Sequence, residues 1–187
     1  MHATVCDYIA DLVHNAVEAG ATCIQLEAAM DPAQITVTVT DNGCGMDPAQ
    51  LLRAEDPFYS TPGKHDKRRV GLGLPLLRQA TESTGGRLEL HSEPGQGTTV
   101  LFQLNMQHID TPPLGDLAGT LATLLALPGE YDLAVRRRSA TGDYAITRQE
   151  LIATLGNLEN ALNFGLAREF LAALEQELAP QSHTRAA

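Results

Sequence analysis

Residues 35–40 read Ile-Thr-Val-Thr-Val-Thr, an unbroken alternation of branched apolar residues with threonines. Side chains along a strand point to opposite faces in turn, so this run demands a strand with one face in a core and the other toward water. Such a strand needs neighbours beside it and apolar elements over its buried face. Residues 23–29 form a first neighbour. RLELHS from Arg87 and TTVLFQLNM from Thr98 alternate in the same way, with EPGQG between them as a hairpin connection. In the last strand Val100, Phe102, Leu104 and Met106 share one face.

The cover is helical. Within residues 3–19, Val5, Ile9, Leu12, Val13, Ala16 and Ala19 recur at helical spacing, with Asp7, Asp11, Asn15 and Glu18 on the opposite stripe and Gly20 as the stop. Asp47-Pro48 opens a short helix through Leu51 and Leu52. Residues 55–70, polar, rich in Lys and Arg and broken by Pro62 and Gly63, read as a mobile loop. A further helix runs from GLGLPLL to Gly85-Gly86. This order implies an α+β fold, a mixed sheet covered on one face by helices.

A boundary is expected at HIDTPPLGD, where Pro112-Pro113 interrupts regular structure, dividing the chain into residues 1–106 and 107–187. In the second part Leu114, Leu117, Leu121, Leu124 and Leu125 mark a helix. YDLAVRR and YAITR form a hairpin turning near Thr141-Gly142, Thr147 with Glu150 fits a capping box, and Phe170, Leu171, Leu174 and Leu178 define a last helix. This helix-hairpin-helix extension is expected to pack on the first part. A chain of 187 residues with 43% hydrophobic content suits one domain, or one with such an appendage.

A formal charge of -10 argues against a nucleic-acid binder, which needs clustered Lys and Arg. Cys6, Cys23 and Cys44 fit no metal-ligand spacing and read as free thiols of a reducing cytoplasm. The first residues lack a basic leader with an apolar core, and the most apolar run, LGDLAGTLATLLAL, is shorter than the roughly 20 residues a membrane span needs. The expectation is a cytoplasmic protein without a membrane partner.

Three segments could carry chemistry. Asp11 and Asn15, four apart on a helix, project from one face, where an amide oxygen suits a hard cation and a carboxylate could orient a nucleophile. Any solvated helix face shows such a spacing. In Asp41-Asn42-Gly43-Cys44-Gly45, a strand-end carboxylate can accept from an exocyclic amine and the glycines admit backbone close to a flat ring. The same residues also make a good tight turn. Gly71-Leu72-Gly73-Leu74 opens a helix whose amides face an anion. Lys64, Lys67, Arg68 and Arg69 just ahead could reach phosphates or be ordinary solvated charges. Neither GxxxxGK[ST] nor a strand-fed GxGxxG is present.

Taken in order, DLVHNAVEAGA, DNGCGM, DPFYSTP, GLGL and GQGTTV resemble the GHKL superfamily, which comprises DNA gyrase B, the ninety-kilodalton heat-shock chaperone, histidine kinases and the MutL mismatch-repair proteins. The resemblance covers roughly the first 106 residues. It implies the Bergerat two-layer sandwich, ATP and magnesium as ligands, Asn15 toward the metal and Asp41 toward the adenine amino group. Gly45 would lie against the adenine with Thr98 near the same base, and Gly43 and Met46 belong to that segment. Gly71, Leu72, Gly73 and Leu74 would form part of a lid over the phosphates, with Phe58 in its hydrophobic anchor. Asp11 stands where hydrolytic members usually carry Glu, one methylene longer, and would be the catalytic carboxylate. The phosphoacceptor domain of histidine kinases finds no room before the first helix, and none of His2, His14, His65, His91, His108 and His183 has such a context. The whole chain, PPLGD included, resembles short stand-alone bacterial proteins of the kinase-like branch. The resulting expectation is a kinase-like module passing the γ-phosphoryl group of ATP to a separate protein. The alternatives are a slow ATP hydrolase acting as a switch, or a non-catalytic regulator. By elimination, the extension is the place for a protein partner or a second copy.

Overall fold

The computed structural model describes residues 4–54 and 73–179. Helix α1 spans Val5–Glu18, followed by strands β1, Cys23–Met30, and β2, Gln34–Asp41. Helices α2, Pro48–Ala54, and α3, Gly73–Ser83, precede the hairpin of β3, Arg87–Glu93, and β4, Gly97–Asn105. Then come α4, Leu117–Ala126; β5, Asp132–Ser139; β6, Asp143–Thr147; α5, Arg148–Leu155; and α6, Ala161–Leu178. The loop expected over 55–70 lies outside the described residues.

The strands form one sheet in the order β3-β4-β2-β1-β5-β6. Neighbours are antiparallel except β1 and β5, which makes the sheet mixed. Register places Leu90, Val100, Val39, Leu26, Val135 and Ile146 in one row across all six strands. The adjacent row on this face contains Leu88, Phe102, Val37 and Ala28. The buried residues of α1, α3, α4 and α6 join these rows in one core, whereas Gln25, Glu27 and Ala29 of the other face are exposed. This is the expected α+β sandwich of a mixed sheet covered on one face.

Local chemistry explains the element ends. Thr4 caps α1, and Asp7 returns a bond to the Thr4 amide, closing a capping box. Two further amides at this end, Val5 N and Cys6 N, donate to the carbonyls of Pro113 and Leu114. Leu114 therefore lies in an extended segment before α4 and not on that helix, because its backbone is committed to α1. Met106 falls just past the end of β4, and Phe170 is 47% exposed and does not join the buried stripe of α6. The extension carries two helices after its hairpin, the capping box of Thr147 and Glu150 opening α5. Its hairpin continues the main sheet through β1.

Two arginines anchor this second half. Arg137 takes an inward position after Leu133 and Val135, is 6% exposed, and lies with Nε 3.4 Å from Glu175 Oε1. The Tyr144 hydroxyl donates to the same oxygen at 2.7 Å. Burial and the Glu175 carboxylate push this phenol well above its usual range. Arg148 donates to the carbonyls of Leu125, Leu127 and Tyr131 at 3.1–3.2 Å, with its guanidinium 4.8 Å over the Tyr131 ring. It thus satisfies carbonyls at the end of α4 that the helix cannot serve itself.

Replacing Arg148 by Met should cost about 2–3 kcal/mol, since charge-assisted bonds are lost and partly buried carbonyls are left without donors; urea unfolding checks this. A second outcome concerns Cys6, whose buried thiol is pushed up from 9.0 to about 11, chiefly by burial and partly opposed by its bond to Thr120. Folding favours the neutral thiol, so its stability contribution is full below pH 9 and declines as pH rises toward 11. Replacing Cys6 by Ala should flatten the fall of stability across that interval. In native protein, Cys23 and Cys44, both exposed, should react with iodoacetamide well before buried Cys6.

Candidate functional site

At one end of the helix-covered face, register brings Asp41, Thr98 and Ser92 side by side on β2, β4 and β3. Asp41 follows Val39 by two residues and so points to the same face. Its Oδ1 accepts from Gly43 N at 2.7 Å, an Asx-type turn that orients the carboxylate. Among the described residues Oδ2 meets no hydrogen-bond donor. Ser92 Oγ lies 2.9 Å from Thr98 Oγ1, accepts from Met46 N at 2.9 Å and donates to Gly97 O at 3.0 Å. Ser92 was missed from sequence, although its place opposite Thr98 across the EPGQG hairpin is a signal that could have found it.

The DNGCGM turn is held on three sides. Asn42 Oδ1 accepts from Thr22 N and Cys23 N, both at 2.9 Å, and its amide donates to Thr22 Oγ1 at 3.0 Å. Cys44 N donates to Ala19 O and Gly95 N to Cys44 O. Two glycines are dictated by backbone approach. Gly45 has φ +64°, and a Cβ on it would come 2.0 Å from Glu93 O. At Gly97, with φ +102°, it would come 1.9 Å from Asp41 O. Gly97 therefore lets β4 sit against the end of β2, so the carboxylate and the Thr98 hydroxyl can be neighbours.

Helix α1 supplies the other wall. Gly43 meets Ala19 at its end, one turn beyond Asn15, whose side chain is exposed. Asp11, half-buried one turn earlier, reaches the start of α3: a Cβ on Gly73 would stand 2.9 Å from Asp11 Oδ2. A carboxylate at a helix N-terminus is favoured by the helix dipole. Leu74, the next residue, is half-buried against the core. Asp41, Gly43, Gly45, Met46 and Thr98 thus gather at one sheet end, and Asp11 gathers with Gly73. Gly71, Leu72 and Phe58 lie outside the described residues.

The donor set decides what could be held there. The Asn15 amide is a single neutral oxygen, and among the described residues no group of three or more His, Cys, Asp or Glu could hold a metal. Such a set fits a hard cation that takes its remaining ligands from phosphate and water. An open cleft of about 390 Å³ lies on another side of α1, lined by Ala10, His14, Thr120, Thr123, Phe164 and Arg168. His14 Nδ1 is bonded to Ala10 O at 2.7 Å there, so His14 belongs to that cleft and not to the Asp11–Asn15 stripe.

The non-motile and phage-resistance protein of Caulobacter vibrioides is 37% identical over 108 residues, 54% of this chain and 13% of that protein. The methanogenesis regulatory histidine kinase FilI of Methanothrix harundinacea is 44% identical over 66 residues, 35% of this chain and 7% of that one. The chain thus spans a small part of the curated relatives it matches. In fold, it is similar to the N-terminal domain of a DNA repair protein, with TM-score 0.51 and 17% identity over 76% of this chain and 51% of the other. The family model described as histidine kinase-, DNA gyrase B-, and HSP90-like ATPase matches residues 4–108. With more than half of its length matched, the chain belongs to that ATPase family.

Proposed function

We propose that this chain binds ATP with magnesium at the Asp41 end of the sheet and passes the γ-phosphoryl group to a separate protein. The observation that carries the nucleotide reading is the Asp41 carboxylate, aligned by Gly43 N with Oδ2 left open beside the Thr98 hydroxyl. An adenine exocyclic amine is the complementary donor. Family membership supports ATP as the ligand, and the named histidine kinase among the relatives supports the kinase branch.

In this reading residues 1–106 are the nucleotide-binding part and residues 107–187 are accessory to it. Asn15 would hold the cation, which when bound neutralises phosphate charge in the transferring group. Gly43, Gly45 and Met46 line the base side, and Gly71, Leu72, Gly73 and Leu74 belong to the phosphate side with Phe58. Asp11 would orient the attacking group or its water. A second reading rests on the contact of Asp11 with Gly73. There Asp11 is structural, holding the start of α3, and the protein binds nucleotide as a non-catalytic regulator. No helix among the described residues is long and apolar enough to cross a membrane.

Calorimetry with magnesium-ATP should show binding that Asp41→Asn weakens about 10- to 100-fold, the worth of one charge-assisted bond. Equal affinity of wild type and variant would sink the nucleotide assignment. Incubation with γ-labelled ATP and cell extract then separates the chemistries. Label on an extract protein supports transfer. Free phosphate that Asp11→Ala abolishes supports the hydrolytic switch, and binding with neither product leaves the non-catalytic regulator.

A further inference from the structure

Ser92 Oγ stands at the centre of three contacts, and the chemistry of two of them decides where its proton goes. The Met46 amide can only donate to it, at 2.9 Å, and the Gly97 carbonyl can only accept from it, at 3.0 Å. Its proton and one lone pair are thereby committed. The third contact, with Thr98 Oγ1 at 2.9 Å, admits either direction on its own. With the Ser92 proton on Gly97 O, only the Thr98 hydroxyl can supply the hydrogen for that contact. Thr98 therefore turns its O–H toward Ser92 and presents lone pairs alone to a ligand.

The consequence falls on the base. Asp41 and Thr98 are partners across β2 and β4, two residues from inward-facing Val39 and Val100, so both face the helix-covered side. Asp41 Oδ2, which meets no donor among the described residues, is likewise an acceptor only. Two acceptors side by side match a nitrogen that carries two hydrogens. A primary amine about 2.9 Å from each, with its N–H bonds about 120° apart, holds the two oxygens about 5 Å apart, near the spacing of side chains directly opposite on antiparallel strands. A 6-oxopurine has another pattern. Its N1–H can still reach Asp41, but the adjacent O6 then meets a second acceptor. The carboxylate accepts from either base, and the direction of the Thr98 hydroxyl separates them.

We propose, resting on the nucleotide reading of the Asp41 end, that Ser92 is the positioning residue that makes this site select a 6-aminopurine nucleotide over a 6-oxopurine one. It acts through Thr98, whose hydroxyl would otherwise rotate to suit whichever base arrives. Loss of the Ser92 hydroxyl frees the Thr98 proton to donate to O6, while N1–H keeps its bond to Asp41. The preference for ATP then falls although no group that touches the base has been changed.

Calorimetry of the full chain with magnesium-ATP and with magnesium-inosine triphosphate, which carries the 6-oxo base, is the test. Wild type is expected to bind ATP at least about tenfold more tightly than inosine triphosphate, and Ser92→Ala to shrink that ratio at least about fivefold. Ser92→Thr, which keeps the hydroxyl, restores it. In a Thr98→Val background Ser92→Ala must leave the ratio unchanged, because no hydroxyl remains to be turned; a merely structural Ser92 would weaken both nucleotides alike in either background. A wild type without preference, a ratio untouched in folded Ser92→Ala, or an effect that persists with Thr98→Val overturns the proposal and leaves ATP binding standing. Absence of ATP binding, or binding indifferent to Asp41→Asn, overturns the nucleotide reading and this proposal with it. Should Ser92→Ala misfold, Ser92→Cys, whose thiol accepts weakly, must lower the ratio at least about threefold, and an unchanged ratio overturns the assignment.

Discussion

The side-chain amide of Asn42 closes the end of the sheet on which the candidate site depends. It accepts from the amides of Thr22 and Cys23 and donates to the Thr22 hydroxyl, while Asn42 N itself donates to Cys23 O. Thr22 O in turn accepts from Asp132 N at the start of β5. Through one residue the end of β2 is joined to the starts of β1 and β5. Asn42 is thus a structural member of the turn, while Asp41 beside it keeps one carboxylate oxygen open among the described residues. Neutral side-chain bonds of this kind are modest singly, but an unsatisfied partner at such a junction costs more than the bond contributes.

The same junction explains why the second half of the chain is continuous with the first. β1 pairs with β2 on one side and β5 on the other, so the neighbour of the strand that ends at Asp41 also carries the extension. Arg148 closes the end of α4 and Arg137 with Glu175 holds α6 over the hairpin. A buried ion pair adds little net stability over an apolar replacement, yet removing one partner is expensive. Its position between β5 and α6 makes it a registry device for that helix.

Chemistry and support are separated by residue type. Gly45 and Gly97 are glycines because backbone carbonyls lie where a Cβ would stand. Ser92 is a hub that joins Met46, Gly97 and Thr98. In the proposed reading Asp41, Asn15 and Thr98 are the groups whose polar atoms address the ligand, while Asp11 stands close to the start of α3.

Much of this was legible in the residues alone. The alternation at 35–40, the amphipathic spacing of α1, the Asp47-Pro48 start and the Thr147–Glu150 capping box are local patterns, set by side-chain period and end-group hydrogen bonding. They determined the elements, and the ordered motifs marked Asp41 and Thr98 as members of one site. Pairing across distance was not legible, because register and strand order depend on which residues meet after folding. That is why Ser92 was missed and why Arg137 in a core position had no local sign. It is also why Leu114 was drawn into a helix when its carbonyl serves α1, and why the residues marking the last helix did not show that Phe170 is exposed where Leu171 is buried. Periodicity states that a helix has an apolar stripe; only tertiary packing decides which stripe is covered.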